Sequence, residues 1–153
     1  MEFSEYSIQK KLFTRFSTHK YRFLNIYFFK YNSECDFLSF TQSGYAQEIE
    51  IKISRADFKA DFKKPKHEMM KIKSDKYANR FYYAVPENLI TVDEVPEYAG
   101  LIYINKNNVL HIIKNAPLLH KRKHNYLRAF NKMYNAYEET LINRLFPPEK
   151  TLF

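Results

Sequence analysis

The sequence predicts an α/β domain in which a mixed central β-sheet is flanked by helices, with a long helix at the C-terminus. Three observations favour this class. Several short segments are rich in β-branched and aromatic residues, apolar residues recur at helical spacing near both ends of the chain, and a capped helix follows directly after the third strand. At 153 residues the chain is too short for two ordinary domains, so we expect a single domain over residues 1–153.

The first predicted helix begins after Ser4, a suitable N-cap, and ends near Ser17. Glu5 lies in its first turn, where an acidic side chain interacts favourably with the helix dipole. One stripe of this helix is apolar, and we expect it to be buried. That stripe comprises Ile8, Leu12, Phe13 and Phe16.

Segments rich in β-forming residues predict six strands. Residues 106–108 are typical of a hairpin turn, and the linker at 32–34 is short enough for antiparallel neighbours. We expect the connection at 87–98 to be irregular, with one helical turn. The predicted strands are 25–31, a segment that contains Asp36, 46–53, 81–85, 100–105 and 109–114.

A turn at residues 42–44 joins the second and third predicted strands. Gly44 can adopt the positive φ that such a loop usually needs. A loop centred near Ser43 pairs the strands so that Asp36 lies close to the level of Glu50. The hairpin therefore predicts that these two carboxylates are neighbours.

The third strand alternates in character. Glu48, Glu50 and Lys52 share one face with Ala46, whereas the other face carries Gln47 and three isoleucines. Same-face neighbours on a strand lie roughly 6.5 to 7 Å apart, so Glu50 and Lys52 can reach one small object from the same side. A water molecule or a metal ion has the required size.

The convergence of Asp36, Glu50 and Lys52 is typical of a site for a hard divalent cation. Carboxylate oxygens suit Mg²⁺ or Mn²⁺, which also bind phosphate oxygens. The lysine can orient or deprotonate the attacking water, or stabilise charge on the phosphate. In the alternative interpretation these residues form a polar row on a solvent-exposed sheet face, with Asp36 as a cross-strand charge partner.

The segment Glu50-Ile51-Lys52 and the preceding Asp36 resemble the D…(D/E)xK signature of the PD-(D/E)XK nuclease superfamily, with Cys35 where that signature has a proline. Longer blocks are similar to the MmcB-like DNA repair family, whose members carry E-x-K-x-S-x-x-D-F, F-Y-F-A-V-P and P-x-x-x-G-L-I in that order. The matching blocks are EIEIKISRADFKADF (48–62), NRFYYAVPENL (79–89) and VPEYAGLIYIN (95–105).

This resemblance covers about residues 25–117 and implies a restriction-endonuclease-like core there, together with an association with DNA. It implies that Asp36, Glu50 and the backbone carbonyl of Ile51 bind Mg²⁺ or Mn²⁺. Asp36, Glu50 and Lys52 would then be the catalytic residues of a metal-dependent endodeoxyribonuclease. Two further acids are candidates for the same site, namely Glu48 and Glu5.

A second helix follows the third strand at once. Ser54 is its expected N-cap, and Asp57, three residues later, is expected to serve the cap rather than a metal. Phe58 and Phe62 are spaced so that both face inward.

The charge balance favours an anionic partner. The formal net charge is +8 and the isoelectric point about 9.4, and basic residues cluster in a helix predicted at 66–77, after Pro65, and at 120–124. The alternative is ordinary solubility charge. The candidates for contact with nucleic acid are Arg55, Lys63, Lys64, Lys66, His67, Lys121, Arg122 and Lys123.

Helical spacing predicts a long C-terminal amphipathic helix at about residues 120–146. We expect its apolar stripe to pack across the sheet and its HKRKH start to lie near a phosphate backbone. The stripe comprises Leu127, Phe130, Tyr134, Tyr137, Leu141 and Leu145.

A single cysteine, Cys35, excludes an internal disulfide and indicates a reducing compartment. No apolar run approaches the roughly 20 residues of a membrane span, and the N-terminal segment is not typical of a signal peptide. We expect a cytoplasmic protein that does not contact membranes. The sequence leaves the oligomeric state open, and a homodimer is among the options.

Three functions are consistent with these observations. The first is a metal-dependent nuclease that hydrolyses DNA in repair or processing. The second is a non-catalytic DNA-binding accessory protein of a repair or replication complex that retains the nuclease fold. The third is a nuclease acting on RNA. The sequence does not distinguish duplex, single-stranded or branched substrates.

Overall fold

The computed structural model describes residues 2–30 and 33–148 and contains one six-stranded sheet in the order β1-β2-β3-β4-β5-β6. The first three strands are antiparallel, β3, β4 and β5 are parallel, and β6 returns antiparallel to β5. The predicted mixed α/β sheet is therefore confirmed. The strands are β1 Tyr21–Tyr27, β2 Glu34–Phe40, β3 Ala46–Ile51, β4 Arg80–Pro86, β5 Ala99–Ile104 and β6 Leu110–Lys114.

Helices flank both faces of this sheet. The first begins at Ser4, whose side chain accepts the Ser7 N–H while the Ser7 side chain accepts the Ser4 N–H, so the predicted N-cap is confirmed. A single 3-10 turn at Val92–Glu94 occupies the predicted irregular connection. The helices are α1 Glu5–Arg15, α2 Arg55–Asp61, α3 Lys66–Lys71 and α4 Leu127–Leu145.

The first strand lies four residues earlier than predicted. The chain leaves the sheet after Tyr27, and Phe28 and Phe29 are buried beyond the strand, where Phe29 stacks on Tyr77. Phe28 and Phe29 therefore fill the core instead of extending the sheet. Two residues of the predicted strand and linker, Tyr31 and Asn32, lie outside the described residues.

The β2–β3 hairpin has the predicted register. Phe40 pairs with Ala46 and Phe37 with Ile49, so the loop is centred on Ser43. Gly44 has a φ of +92°, as such a turn requires. The same offset, extended by one residue, places Asp36 at the level of Glu50.

The sheet separates two hydrophobic cores. One core lies under α1 and includes Ile49 and Ile51, while the other lies under α2 and α3 and includes Phe58 and Tyr83. All six residues of β3 are buried. The alternative of a solvent-exposed polar row is therefore wrong, because α2 and α3 cover the face that carries Glu48 and Glu50.

The segment after β3 has the predicted cap at Ser54, whose side chain accepts the Asp57 N–H at 3.1 Å. Phe58 is buried as expected, but Phe62 is 38% exposed because α2 ends before it. The following helix, α3, ends at Lys71 and not near residue 77. Lys73 terminates it with a φ of +53°.

Gly100 in β5 allows a close approach between neighbouring elements. A Cβ at this position would lie 2.4 Å from the Tyr82 ring and 2.7 Å from the Ala116 backbone nitrogen. Such distances are sterically forbidden, so the segment that follows β6 can cross the sheet here only over a glycine.

The C-terminal helix begins at Leu127, later than predicted, because residues 120–126 are not helical. Among the described residues of α4 only Ala129 is buried, and Phe130 contacts Tyr21 and Phe23 of the edge strand β1. The expectation that α4 packs across the sheet is therefore wrong. None of the helices in the described part of the chain has the length and apolar character that crossing a membrane requires.

Candidate active site

Asp36, Glu50 and Lys52 line one cavity of about 390 Å³ where β3 ends. Asp36 Oδ2 accepts the Ile51 N–H at 2.7 Å, which ties the end of β2 to the end of β3. Glu5 of α1 lines the same cavity. The structure therefore brings together the three residues that the sequence predicts to converge.

The position of Asp36 depends on Gln9, which sequence reasoning missed. The buried Gln9 amide of α1 donates to the Asp36 backbone oxygen at 2.9 Å and to Asn25 Oδ1 at 2.8 Å. Asn25 in β1 has a φ of +51°, a conformation that asparagine tolerates better than most residues. Gln9 therefore links the Asp36 backbone in β2 to Asn25 in β1.

The Asp36 carboxyl is destabilised in its charged form. Burial and the nearby charge of Glu50 raise its pKa to about 7, and Glu5 adds to this effect. The Ile51 N–H and Lys52 act in the opposite direction but do not compensate. Asp36 therefore lacks sufficient positive charge nearby.

Glu50 has the opposite environment. Its Oε1 lies 2.8 Å from Lys52 Nζ and 2.7 Å from Lys64 Nζ, and its Oε2 lies 2.7 Å from Lys66 Nζ. Burial alone would raise the pKa of Glu50, but these ammonium groups hold it below its usual value. Three lysines thus surround one carboxylate.

Lys66 is fully buried, with a side-chain exposure of 0%. Besides Glu50 it contacts Glu48 Oε1 at 3.1 Å, and Tyr77 donates its hydroxyl to Glu48 Oε2 at 2.5 Å. Burial disfavours the charged form of Lys66, yet the surrounding carboxylates raise its pKa above the ordinary value. For Glu48, burial dominates and raises the pKa.

Asp61 completes the arrangement. Its Oδ2 lies 2.7 Å from the Tyr83 hydroxyl and 2.9 Å from His67 Nε2. Its Oδ1 is held by ion pairs at 2.8 Å to Lys64 and 3.3 Å to Lys52 and not by a hydrogen bond of regular geometry. The contacts of Oδ2 and the lysines overcome burial and keep the pKa of Asp61 well below its usual range.

Sequence reasoning missed Asp61 as a site residue. Its signal is an acidic residue three positions after Phe58, on the buried side of α2. An acid on the apolar stripe of a helix needs a buried partner. The lysines that provide it lie on β3 and in the α2–α3 segment.

These residues form what we call the buried charge cluster. Its three carboxylates balance its three ammonium groups, so it is formally neutral. Ion pairs in such a setting are expensive to desolvate, and their loss is costly mainly because it leaves a charge unpaired. The cluster consists of Glu48, Glu50, Asp61, Lys52, Lys64 and Lys66.

Two predicted nucleic-acid contacts are wrong. Lys66 and His67 are buried with exposures of 0% and 2%, because α3 turns both side chains towards the sheet. Lys64 is 38% exposed and belongs to the cluster, and Arg55 is exposed but pairs with Glu94 at 2.5 Å. The remaining candidates, which are exposed and stay predictions, are Lys63, Lys121, Arg122 and Lys123.

The predicted metal ligands are only partly prepared for an ion. Within residues 2–30 and 33–148, no three His, Cys, Asp or Glu side chains are grouped closely enough to hold a metal together. Asp36 and Glu50 share the cavity with Glu5, whereas Glu48 is enclosed by Lys66 and Tyr77. Of the two additional acids, Glu5 is therefore the one that lines this cavity.

Comparison with known proteins shows a likeness at the level of the fold. No protein-family model matches this chain, and no curated protein matches it. A solved structure, the SPO1766 protein of unknown function from Silicibacter pomeroyi, superposes with a TM-score of 0.61 and 18% identity. The match covers 100% of this chain and 99% of that one. Such a likeness shows a shared fold and does not indicate an activity.

Replacing Lys66 tests the cluster. Lys66→Met leaves Glu48 and Glu50 buried without their shared ammonium, so we expect the free energy of unfolding to fall by about 3–5 kcal/mol near neutral pH. The deficit should shrink as the pH falls, because protonation of the carboxylates removes the unpaired charge. Denaturant unfolding of Lys64→Met is the matched control, since Lys64 is partly solvated. Equal stability of Lys66→Met and wild type would contradict the arrangement.

Asp36 should make stability depend on pH. An acid whose pKa is raised on folding contributes stability that is present below its unfolded pKa of 3.8 and lost as the pH rises through about 7. We therefore expect the free energy of unfolding of Asp36→Asn to exceed that of wild type by about 2 kcal/mol near pH 8 and to differ little near pH 4. Both proteins are measured by denaturant unfolding in chelator. Asp93→Asn, an exposed acid, is the control. A constant offset at both pH values would contradict this environment.

Proposed function

We propose that this protein is a metal-dependent nuclease with a restriction-endonuclease-like core that hydrolyses phosphodiester bonds in DNA. The observation that carries the proposal is the convergence of Asp36, Glu50 and Lys52, from two adjacent strands, on one solvent-connected cavity. The order of the resembling blocks along the chain supports the same proposal, in which the chain is related to the MmcB-like branch of the PD-(D/E)XK superfamily.

The donor set fits a hard divalent cation. Burial and the charge of Glu50 raise the pKa of Asp36 to about 7, and both carboxylates line the same cavity. These two carboxylates would hold Mg²⁺ or Mn²⁺, with the Ile51 carbonyl as a further ligand. When bound, such an ion supplies Lewis-acid stabilisation of the phosphate and a more acidic water.

Lys52 is the residue that would position the attacking water. Its ammonium lies 2.8 Å from Glu50 and 3.3 Å from Asp61, so it is directed into the cavity. Tyr83 and His67 orient Asp61 from behind. Asp61 is accordingly a positioning residue for Lys52.

The lysines around Glu50 set a condition on this site. Both oxygens of Glu50 already contact ammonium groups, so a divalent ion that binds Glu50 would displace one of them. Lys64 is the candidate to leave, because its side chain is 38% exposed whereas those of Lys52 and Lys66 are 11% and 0% exposed. Once displaced, the Lys64 ammonium can neutralise a phosphate at the cavity mouth.

The surface charge supports a nucleic-acid substrate. The net charge of +8 and the exposed Lys63, Lys121, Arg122 and Lys123 provide a sequence-independent attraction to phosphates. Arg55, beside the end of β3, is a further contact once it leaves Glu94.

A second function is favoured by one observation. Both oxygens of Glu50 already contact lysines, so the cluster is complete without any ion. This arrangement suits a DNA-binding accessory protein that keeps the nuclease fold and works through a repair partner.

The nuclease proposal predicts that Lys52 is needed for cleavage but not for DNA binding. Lys52→Ala should lower the rate of Mg²⁺-dependent cleavage of labelled DNA by at least about 100-fold, while leaving the dissociation constant for DNA within about twofold. Lys106→Ala, which removes an exposed lysine from the turn between β5 and β6, is the matched control and should cleave nearly normally. Cleavage by Lys52→Ala at the wild-type rate would exclude Lys52 from the chemistry.

Calorimetric titration with Mn²⁺ separates the two functions. We expect wild type to bind Mn²⁺, Asp36→Ala to lose binding, and Lys64→Met to bind about tenfold more tightly because no tethered ammonium competes. Lys63→Met should match wild type. If wild type binds DNA tightly but takes up no Mn²⁺, the accessory role replaces the nuclease.

A further inference from the structure

A second cavity, of about 170 Å³, is strongly basic. It lies between the turn after β1, the α3–β4 connection and the segment that precedes α4. No acidic side chain is among the described residues that line it. The lining residues are Phe29, Lys30, Lys76, Arg122, His124 and Arg128.

The cations of this cavity come from separate parts of the chain, and two of them are anchored. Arg128 donates to the Phe28 carbonyl at 2.8 Å and lies over the Phe28 ring at 4.8 Å. The backbone oxygen of Arg122 accepts from the buried Asn79 amide at 2.8 Å. These contacts hold Arg128 and the Arg122 backbone in place, so the two arginines stay beside the same cavity despite their like charge.

The positive charge here is poorly compensated. Asp75 lies 3.6 Å from the Arg122 guanidinium, but both side chains are more than half exposed, so solvent screens the pair. The pKa of His124 is lowered to about 4 by burial and by the charges of His120, Arg122 and Arg128. The hydrogen bond to the Tyr77 carbonyl acts in the opposite direction. His124 is thus neutral at physiological pH and donates its Nε2–H to Tyr77 O at 2.8 Å.

We propose that this basic cavity binds a phosphate group of a nucleic-acid strand. Its volume of about 170 Å³ accommodates a phosphate group. Its aromatic lining residue, Phe29, is buried and already packed against Tyr77 and His124. No ring of the described lining is therefore free to stack on a base. The proposed contact is with the phosphate backbone of the nucleic acid.

The identity of the ligand as a nucleic-acid strand rests on the proposed function, whereas phosphate binding itself does not. Tyr77 connects the two sites, since its hydroxyl contacts Glu48 of the buried charge cluster and its carbonyl accepts from His124 and His120. The basic cavity and the buried charge cluster are therefore linked through one residue, Tyr77.

The test uses the double variant Lys30→Gln/Lys76→Gln, in which two exposed lysines of the cavity lose their charge. We expect binding of a fluorescein-labelled DNA oligonucleotide, followed by anisotropy in chelator, to weaken about tenfold. The slope of log K against log salt concentration should decrease by about one, because one phosphate contact is lost. Chelator prevents cleavage, so failure of the nuclease proposal does not affect this measurement.

Lys10→Gln/Lys106→Gln is the matched control, since it removes the same charge from exposed positions outside the cavity. Equal affinity and equal salt slope for the two double variants would overturn the proposal.

Inorganic phosphate distinguishes the sources of the ligand. It should shift the His124 imidazole resonances saturably in wild type, and the DNA oligonucleotide should compete for that shift. Phosphate binding without competition from DNA would overturn the assignment to a nucleic-acid strand, and no shift with either would overturn the site itself.

Discussion

The contact of Lys66 with Glu48 and Glu50 is the constraint on which the centre of this fold depends. Two carboxylates on one buried face of β3 cannot remain ionised unless a cation reaches both, and Lys66 does so from α3 with no exposure to solvent. This requirement fixes where α3 lies over the sheet. It also explains why the connection between β3 and β4 bends at Pro65, since the bend aims Lys66 and His67 inward. The remaining contacts of the cluster are the ion pair between Asp61 and Lys64 and the hydrogen bond from Tyr77 to Glu48.

Two neighbouring carboxylates thus have contrasting environments. Glu50 is surrounded by ammonium groups, whereas Asp36 faces Glu50 and Glu5 and holds its proton up to about neutral pH. The contrast arises from the contacts that surround them. Lysines of the β3 end and the α2–α3 segment contact Glu50, whereas the Asp36 carboxylate accepts the Ile51 N–H and its backbone oxygen accepts from Gln9. The site therefore has one carboxylate whose charge is compensated by ammonium groups and one whose charge is not.

The sequence predicts the local features of this site and misses the global ones. Turn chemistry at Gly44 and strand alternation give the hairpin register, and hence the proximity of Asp36 and Glu50, because both depend on residues close in the chain. Alternation states which residues share a face but not whether that face is covered, so it does not predict that Glu48 and Glu50 are buried beneath Lys66. Asp61 was overlooked because its partners lie on other elements. The C-terminal helix shows the same limit, since its apolar stripe is real but few of its residues find a buried partner.

Because charges within the cluster cancel, the net charge of +8 resides on the rest of the molecule. At physiological ionic strength an approaching polyanion senses only charges within a Debye length of about 8 Å. Electrostatic steering of a polyanion is therefore governed mainly by the outer lysines and arginines. In the proposed function, capture of a strand would thus depend chiefly on surface cations, whereas cleavage would depend on the carboxylates that line the active-site cavity.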